Sequence, residues 1–314
     1  MTVPTTMRAA RVHAYGGPEQ LVVEEVAVPQ PGPGEVLVEV CAVSVNGADL
    51  ELRRSGFDGA FAPPRTLGVD LSGVVVQVAD DVERFAVGDR VHGRRSSADR
   101  GTYSTYAAVA ADDLVTLPDG LDHAVGAAVP VVGLAAWQSL VEVGRLARGE
   151  RVLIHGAAGG VGHLAVQFGR HLGAHVIASD LAESLGRLTE LGATETYDFR
   201  TNNVIEAVGS VDLVIDTVGG PVTDASLAAL GNGGRLVSLV AAPSEDVARQ
   251  RGITATMLDS WMDRDHLQRI DELLVAGELT VDIGELLPLE QVAHAHELAE
   301  SNQVSGKLVL DPTG

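Results

Sequence analysis

The sequence contains very little cysteine and few basic residues. Cys41 is the only cysteine among 314 residues, which excludes an internal disulfide framework and a zinc site built from several cysteines. Lys and Arg together number 22 against 43 Asp and Glu, and the formal net charge is −21. Because binding to nucleic-acid phosphates needs clustered basic side chains, the composition predicts that nucleic acid is not a partner.

Long apolar runs are also missing. No stretch reaches the roughly 18 uninterrupted apolar residues of a membrane helix, and the first residues contain no apolar segment behind a positive head. We therefore expect no membrane partner and a cytoplasmic location. What the sequence does contain is 46% hydrophobic residues, which is enough to bury a large core over two domains.

The first part of the chain has the pattern of β-structure. Short apolar alternations at residues 21–26, 35–40 and 72–78 are separated by turn residues, and this pattern continues from residue 7 to about residue 95. It predicts an all-β, barrel-like unit. Between residues 122 and 146 the apolar spacing becomes helical.

Strands and helices alternate after residue 150. The predicted strands lie at 151–155, 174–179, 195–197, 211–216 and 234–240, and the predicted helices at 162–172 and up to residue 191. Strands rich in Val, Ile and Leu that alternate with helices indicate a parallel sheet covered on both faces, so we expect a doubly wound domain. The segment 306–310 predicts a last strand that returns to the first domain.

A glycine-rich turn follows the strand at 151–155 and leads directly into a helix. In such a turn the backbone approaches a pyrophosphate closely, and the free N–H groups of the helix start bind its charge. The predicted dinucleotide contacts are Gly156, Ala158, Gly159, Gly160, Val161 and Gly162. The alternative is a tight turn in an α/β domain that binds no ligand.

Asp180 ends the next predicted strand, about 20 residues after the glycine turn, as in dinucleotide-binding domains. A carboxylate there accepts hydrogen bonds from the ribose hydroxyls of NAD and repels the additional phosphate of NADP. The predicted cofactor is therefore NAD, although Arg187 leaves NADP open. The alternative for Asp180 is a solvated side chain that caps the following helix.

With these residues the sequence resembles the zinc-independent quinone oxidoreductase branch of the medium-chain dehydrogenase/reductase superfamily, over nearly the whole chain. The motifs are Gly-Gly-Pro-Glu at 16–19, Pro-Gly-Pro-Gly-Glu-Val at 31–36, Val-Asn-Gly-Ala-Asp at 45–49, Gly-Val-Asp at 68–70, Val-Gly-Asp-Arg-Val at 87–91, the glycine turn at 156–162, Asp-Thr-Val-Gly-Gly at 216–220 and Gly-Lys-Leu-Val-Leu at 306–310.

The resemblance implies an α/β fold with a GroES-like β-barrel domain, residues 1–127 and 285–314, and a Rossmann doubly wound parallel-sheet domain, residues 128–284. It further implies a cleft in which NAD(P)H donates hydride to a quinone, enone or enoyl-type acceptor, and a homodimer. Ser179, Val218, Val240 and Lys307 join the predicted cofactor contacts on the same basis.

The resemblance also implies that no metal is bound. In the zinc-dependent branch the ligands include a Cys and a Gly-His-Glu segment, whereas here those places are taken by Asn46 and residues 68–70. Zinc prefers Cys and His ligands in tetrahedral groups, and no second cysteine is present. By the same resemblance Asn46 lies near the nicotinamide ribose; the alternative is an asparagine that serves a turn.

The source of the substrate's proton is open at this point. Relatives place a Tyr or Lys where this chain has Glu51, and a threonine where it has Ala135. Tyr103 and Tyr106 could supply a hydroxyl, or their rings could simply pack in the core. Relatives that bind NADPH have a hydroxyl residue and a Lys where Leu181 and Ser184 stand, which favours NAD.

Two other functions compete with hydride transfer. At Glu51 and Ala135 this chain lacks the side-chain groups that relatives present to the substrate. A dinucleotide-binding protein with little redox turnover is therefore one alternative. A non-redox cyclase or lyase with Glu51 as acid or base is the other. Trp261 is predicted either to line the substrate pocket or to pack a helix. We do not expect His155 to be catalytic, nor the pair at 294 and 296 to bind metal.

Overall fold

The computed structural model describes residues 3–96, 101–301 and 304–314. The chain divides into two compact units. The first consists of Met1–Val131 and Met262–Gly314, and the second of Val132–Trp261. No helix within the described ranges is long and apolar enough to cross a membrane.

The amino-terminal part of the first unit is mainly β-structure. Its strands are β1 (Thr6–Val12), β2 (Leu21–Ala27), β3 (Glu35–Ser44), β4 (Arg65–Thr66), β5 (Asp70–Val78), β6 (Arg90–Arg94), β7 (Tyr106–Ala110) and β8 (Leu114–Thr116). Its helices are α1 (Gly47–Arg54), α2 (Gly56–Gly59) and α3 (His123–Ala128). Helix α4 (Pro130–Gln138) follows and continues as a π-helical turn, Ser139–Val143.

The second unit alternates strand and helix. Its strands are β9 (Arg151–His155), β10 (His175–Asp180), β11 (Glu195–Asp198), β12 (Val211–Asp216), β13 (Leu230–Ser238) and β14 (Thr254–Met257). Its helices are α5 (Gly160–His171), α6 (Leu185–Leu191), α7 (Val204–Val208), α8 (Pro221–Ser226) and α9 (Glu245–Gln250).

The chain then returns to the first unit. The last elements are α10 (Arg264–Val275), β15 (Ile283–Pro288), α11 (Val292–Ser301) and β16 (Lys307–Asp311). Short 3-10 turns lie at Pro18–Gln20, Ala111–Asp113, Ala182–Ser184, Leu227–Ala229 and Leu289–Gln291. The predicted returning strand at 306–310 is β16, which pairs antiparallel with β3 and parallel with β15.

The strands of the first unit form two sheets. One has the order β2-β1-β4, and the other has the order β15-β16-β3-β5-β6-β8 with β7 paired to β3. On β3 the alternate residues Val36, Val38 and Val40 are all 0% exposed and belong to one hydrophobic cluster. This period of two places one face of the strand in the core.

The second unit has one six-stranded parallel sheet of order β11-β10-β9-β12-β13-β14. The central strands are buried on both faces: Val152, Leu153 and Ile154 of β9 are each 0% exposed. This arrangement explains their continuous apolar sequence, because helices cover both sides of a doubly wound sheet. The predicted GroES-like and Rossmann architecture is confirmed.

Some local predictions were wrong. The stretch predicted as all-β contains helix α1, whose start is fixed because Asp49 Oδ2 accepts a hydrogen bond from the backbone N–H of Asn46 at 2.9 Å. Strands β14 and β15 were not predicted. The compact second unit ends at Trp261, while the predicted boundary of the Rossmann domain at residue 284 stays a prediction. Helix α10 belongs to the first unit, where buried His92 Nε2 and Asp271 Oδ2 lie 2.9 Å apart.

Candidate functional site

The order of the strands in the second unit creates a crevice. From β9 the chain proceeds through β10 to β11 on one side, and from β12 through β13 to β14 on the other. The neighbours β9 and β12 therefore form a topological switch point. In open parallel sheets ligands bind outside the carboxyl ends of the strands at such a point, and this is where the glycine turn lies.

The glycines of the turn are required by contacts and by backbone conformation. Gly156 has φ +67°, and a Cβ there would lie 2.3 Å from Oγ1 of Thr217. A Cβ on Gly162 would lie 2.1 Å from the carbonyl oxygen of Gly156. Helix α5 begins at Gly160. The first N–H groups of a helix have no intrahelical partner, so they can bind an anion.

The end of β10 holds the glycine turn in place. The carbonyl oxygen of Ser179 accepts hydrogen bonds from the N–H groups of Gly156 and Ala157 at 3.1 and 3.2 Å. Asp180 accepts from the N–H of Ala158 at 2.7 Å and from that of Leu181 at 2.8 Å. Ser179 thus acts through its backbone, and half-buried Asp180 has a supporting role that the sequence did not predict.

Apolar side chains follow β12 and β13 at the same edge of the sheet. Val218 is 54% exposed and Val240 is 49% exposed, although large apolar side chains are usually buried. A Cβ on Gly156 would lie 3.2 Å from Cγ2 of Val218, and one on Gly219 would lie 2.8 Å from Cγ2 of Val240. The predicted contacts in this unit therefore border one crevice.

Asp216 organises the turn after β12 and was missed as a functional residue. One carboxylate oxygen accepts from the N–H groups of Val218 and Gly219, both at 2.9 Å. The other accepts from the hydroxyls of Thr223 and Ser238 at 2.6 and 3.0 Å. Burial raises the pKa of Asp216, but the hydrogen bonds from these four donors together lower it by more than burial raises it. The net pKa is therefore below the usual value. An Asp ending a buried strand before Val-Gly-Gly was the available signal.

Asn46 lies in a buried polar cluster of the first unit, which we call the Asn46 cluster and define as Ser44, Asn46, Asp49, Asp70 and Lys307. Asn46 Nδ2 donates to Asp70 Oδ2 at 2.9 Å, and its Oδ1 accepts from Lys307 Nζ at 2.6 Å. Asn46 is 6% exposed, and Lys307 is 3% exposed. The structure thus brings two predicted site residues together, and that Lys307 also binds the cofactor stays a prediction.

Burial shifts the pKa values in the Asn46 cluster. It raises the pKa of Asp49 to about 7; the N–H of Asn46 opposes this shift and the charge of Asp70 adds to it. Burial also raises the pKa of Asp70 and lowers that of Lys307, while the attraction between these two charges opposes both shifts. Hydrogen bonds from Ser44 Oγ at 2.9 Å and the N–H of Val131 at 3.0 Å further stabilise the Asp70 carboxylate.

The Asn46 cluster does not fit a zinc ion. Its polar side chains are a serine, an asparagine, two aspartates and a lysine, and the ammonium of Lys307 is already hydrogen-bonded to Asn46. Zinc needs a near-tetrahedral set dominated by thiolate and imidazole ligands. Within residues 3–96, 101–301 and 304–314, no three His, Cys, Asp or Glu side chains come together as a metal-binding group.

Glu51 and Tyr103 are the other two predicted catalytic residues. Glu51 is half-buried on α1 and accepts a hydrogen bond from Ser55 Oγ one turn later. Tyr103 is 0% exposed and packs edge-on against His296, with ring centroids 5.9 Å apart. Burial and the charge of Asp49 raise the pKa of Tyr103 well above its usual value. Their catalytic roles stay predictions.

His155 and His296 are buried, whereas His294 lies at the surface. His155 Nε2 lies 3.0 Å from Ser226 Oγ, and burial lowers the pKa of His155 to about 4. His294 pairs with Glu297 at the surface. His296 is 0% exposed, and neither of its ring nitrogens has a hydrogen-bond partner within the described ranges. Burial lowers the pKa of His296 to about 3, and the charge of Arg53 adds to the shift.

We expect His296→Phe to stabilise the protein. At pH 7 the free energy of unfolding should rise by about 1 kcal/mol, because two unpaired polar atoms leave the core. Below pH 6.5 the unfolded wild type binds a proton at His296 and the folded state does not, so wild-type stability falls by up to about 1.4 kcal/mol per pH unit until about pH 3. The variant lacks this contribution. Urea unfolding at pH 5 and 7 measures both effects.

The control is His294→Gln, which replaces an exposed histidine on the same helix. It should keep the wild-type stability and the wild-type pH dependence. If His296→Phe is less stable than wild type at both pH values, the imidazole of His296 has a partner that stabilises the fold.

Trp261 is held by its backbone. The side chain of Gln138, which is 0% exposed, donates from Nε2 to the carbonyl oxygen of Trp261 at 2.9 Å and accepts from its N–H at 3.1 Å. The residue as a whole is 43% exposed. Trp261 is therefore not a buried packing residue, and a place in the substrate pocket stays a prediction.

Comparisons with known proteins agree with this architecture. Residues 32–119 match the family model of the alcohol dehydrogenase GroES-like domain, and residues 191–310 match that of the zinc-binding dehydrogenases. The chain is 32% identical to the quinone oxidoreductase of Homo sapiens, with 97% of each chain covered. It is also 32% identical to a 2-haloacrylate reductase of Burkholderia sp, with 97% of this chain and 98% of the relative covered.

A solved structure extends the comparison to three dimensions. The quinone oxidoreductase of Escherichia coli, complexed with NADPH, superposes with a TM-score of 0.90 at 28% identity, and the match covers 97% of this chain and 100% of that one. The chain therefore belongs to the zinc-independent quinone oxidoreductase branch of the medium-chain dehydrogenase/reductase superfamily, as its motifs predict.

Proposed function

We propose that this chain is an NAD(P)H-dependent oxidoreductase that transfers hydride to a quinone, enone or enoyl-type acceptor. The observation that carries the proposal is the glycine turn at the switch point of the parallel sheet, followed directly by the first turn of α5. This arrangement fits a dinucleotide pyrophosphate. The relatives named quinone oxidoreductase and 2-haloacrylate reductase support the choice of acceptor.

The residues of the second unit bind and orient the coenzyme. The first turn of α5 holds the pyrophosphate, and Asp180 accepts hydrogen bonds from the adenosine ribose while its turn contacts persist, since an ionised carboxylate has about four acceptor sites. Val218 and Val240 offer apolar surface to the rings. When bound, NAD(P)H supplies the hydride, so the protein contributes chiefly orientation and a dry surface.

Asn46 is the residue of the first unit that we assign to the nicotinamide end of the coenzyme. The Asn46 cluster supports this assignment because it fixes the amide from two sides. We also propose that catalysis uses no zinc, because the cluster does not fit that ion. Water is the proposed proton source: Tyr103 is 0% exposed, and the Glu51 carboxylate accepts a hydrogen bond within its own helix.

The test is a coenzyme and acceptor assay on the purified protein. We expect NADH and NADPH fluorescence titrations to show binding, and stopped-flow absorbance at 340 nm to show oxidation of the bound coenzyme by benzoquinones or enals. Tyr103→Phe and Glu51→Gln should each keep at least about a third of wild-type kcat, because neither donates the proton. A loss of about 100-fold in either variant would restore that side chain as the donor.

Other outcomes of this assay identify the competing functions. Coenzyme binding without oxidation across a broad acceptor panel would favour a dinucleotide-binding protein with little turnover. Product formation without coenzyme consumption would favour a cyclase or lyase. If the protein binds neither NADH nor NADPH, the proposed function is wrong.

We further propose a cytoplasmic homodimer. The single cysteine is typical of proteins from a reducing compartment, and the family resemblance favours two subunits. Light scattering behind size-exclusion chromatography measures the subunit number directly.

A further inference from the structure

The Asn46 cluster contains the only lysine of the chain. Of the 22 Lys and Arg residues, all except Lys307 are arginines. Surface cations in this protein are therefore arginine throughout, while the single lysine is 3% exposed. Position 307 thus uses a property of lysine that arginine lacks: a compact ammonium on a flexible stem, instead of a planar five-donor group.

The pairing of β16 with β3 places Lys307 beside Asn46, although the two residues are far apart in the sequence. Lys307 begins β16, which pairs with the end of β3 through Val309 opposite Ser44. The N–H of Val45 donates to the carbonyl oxygen of Leu308 at 2.9 Å. With the backbones in this register, Lys307 Nζ donates to the carbonyl oxygen of Val45 at 2.7 Å and to Asn46 Oδ1 at 2.6 Å.

These contacts favour one of the two possible orientations of the Asn46 amide. The cation binds its oxygen, and the Asp70 carboxylate binds its nitrogen at 2.9 Å. A flipped amide would place NH2 against the ammonium and oxygen against the carboxylate, and both contacts would be repulsive. A charged partner on each side therefore fixes the rotamer more strongly than neutral partners would.

We propose that Lys307 is a positioning residue, which holds the Asn46 amide in the orientation required for hydride transfer and does not itself bind the coenzyme. The proposal rests on the proposed function, because it takes Asn46 as the residue that contacts the nicotinamide end. It replaces the sequence-based prediction that Lys307 contacts the coenzyme directly. Its geometric basis is that Nζ is buried and already donates to two oxygens of the protein.

A double-mutant cycle separates the two roles. Lys307→Met keeps the aliphatic stem and removes the ammonium, and Asn46→Ala removes the amide. We expect each variant to lower kcat by roughly 10–100-fold, the usual loss when an orienting contact to a functional side chain is removed. The NADPH Kd should change by less than about 3-fold. The double variant should be no slower than the slower single variant, because both substitutions remove the same feature, the oriented amide of Asn46.

The opposite pattern would overturn the proposal. If Lys307 binds coenzyme phosphate, Lys307→Met should raise the NADPH Kd, and the losses in the two single variants should multiply in the double variant. Arg249→Met is the matched control, because it removes an exposed cation that pairs with Glu245 and Asp246 on its own helix. It should leave kcat and Kd unchanged.

A second measurement needs no Lys307 variant. Protein grown with 15N-lysine gives a single side-chain ammonium resonance, because Lys307 is the only lysine. We expect a slowly exchanging signal that shifts clearly in Asn46→Ala and changes little when NADPH binds. A rapidly exchanging signal, or one that ignores Asn46→Ala, contradicts the proposal even if Lys307→Met fails to fold.

The resonance also distinguishes this proposal from the proposed function. If the Lys307 resonance depends on Asn46 but the wild-type protein oxidises no coenzyme, Lys307 still positions Asn46 and the proposed hydride transfer is wrong. If the protein oxidises the coenzyme but the Lys307 resonance is independent of Asn46, the proposed function stands and the positioning role of Lys307 is wrong.

Discussion

Gly162→Ala is expected to abolish coenzyme binding. The new Cβ would lie 2.1 Å from the carbonyl oxygen of Gly156 and 2.6 Å from Cα of Ala157, and both atoms belong to the backbone of the glycine turn. The turn and the start of α5 must therefore separate, which moves the N–H groups that bind the pyrophosphate. We expect the Kd for NADH and NADPH to rise at least about 100-fold, or roughly 2.7 kcal/mol.

The same substitution should cost stability, since overpacking against backbone strains the fold by about 1–3 kcal/mol. Gly186→Ala is the matched control. Gly186 lies in α6, its φ is not positive, and a Cβ there would meet no atom within 4 Å. It should leave coenzyme binding unchanged and stabilise the helix by up to about 1 kcal/mol. Normal binding by Gly162→Ala would mean that the coenzyme does not use this turn.

The second unit was predictable because its signals are local. A continuous apolar strand, a glycine turn and a helix follow one another within about 20 residues, and the predicted strand 151–155 is β9 itself. Each of these signals depends on the pleat or the helical repeat of neighbouring residues. Residues 156–162 and Asp180 could therefore be placed at one edge of the sheet without any tertiary information.

The Asn46 cluster could be predicted only in part. Its contacts join residues far apart in the chain, such as Lys307 and Asn46 with a separation of 261 positions, and no local pattern encodes such a pairing. The motifs marked Asn46, Asp70 and Lys307 one by one, but they did not show that the three share hydrogen bonds. The one sequence signal was compositional, namely a single lysine in a chain that otherwise uses arginine.

Helix α1 and the assignment of helix α10 to the first unit could not be predicted for a related reason. The helix has only 8 residues, and it depends on a cap between Asn46 and Asp49 rather than on a long apolar repeat. Helix α10 has a normal amphipathic pattern, but periodicity does not say which unit it joins. That choice depends on packing and on the buried pair of His92 and Asp271, which are distant in sequence.

Asp180 should make the protein prefer NADH. The carboxylate ends β10 beside the glycine turn, where the adenosine ribose of a bound dinucleotide lies. An additional phosphate at that ribose carries nearly two negative charges, and at about 5 Å in water their repulsion with a carboxylate is about 1.7 kcal/mol. We therefore expect the Kd for NADPH to exceed that for NADH by about 20-fold, measured by fluorescence titration at low salt.

Asp180→Asn tests the charge and preserves the shape. The amide oxygen can still accept one of the two backbone hydrogen bonds that Asp180 makes, from Ala158 or from Leu181. The variant should therefore bind NADH somewhat more weakly, and the preference for NADH should fall to within about 3-fold, because the repulsion is gone. Asp246→Asn, at an exposed carboxylate of α9, should change neither Kd. A wild type that binds both coenzymes equally would show that Asp180 serves the glycine turn alone: its carboxylate would then be committed to backbone N–H groups, and coenzyme choice would depend on other residues.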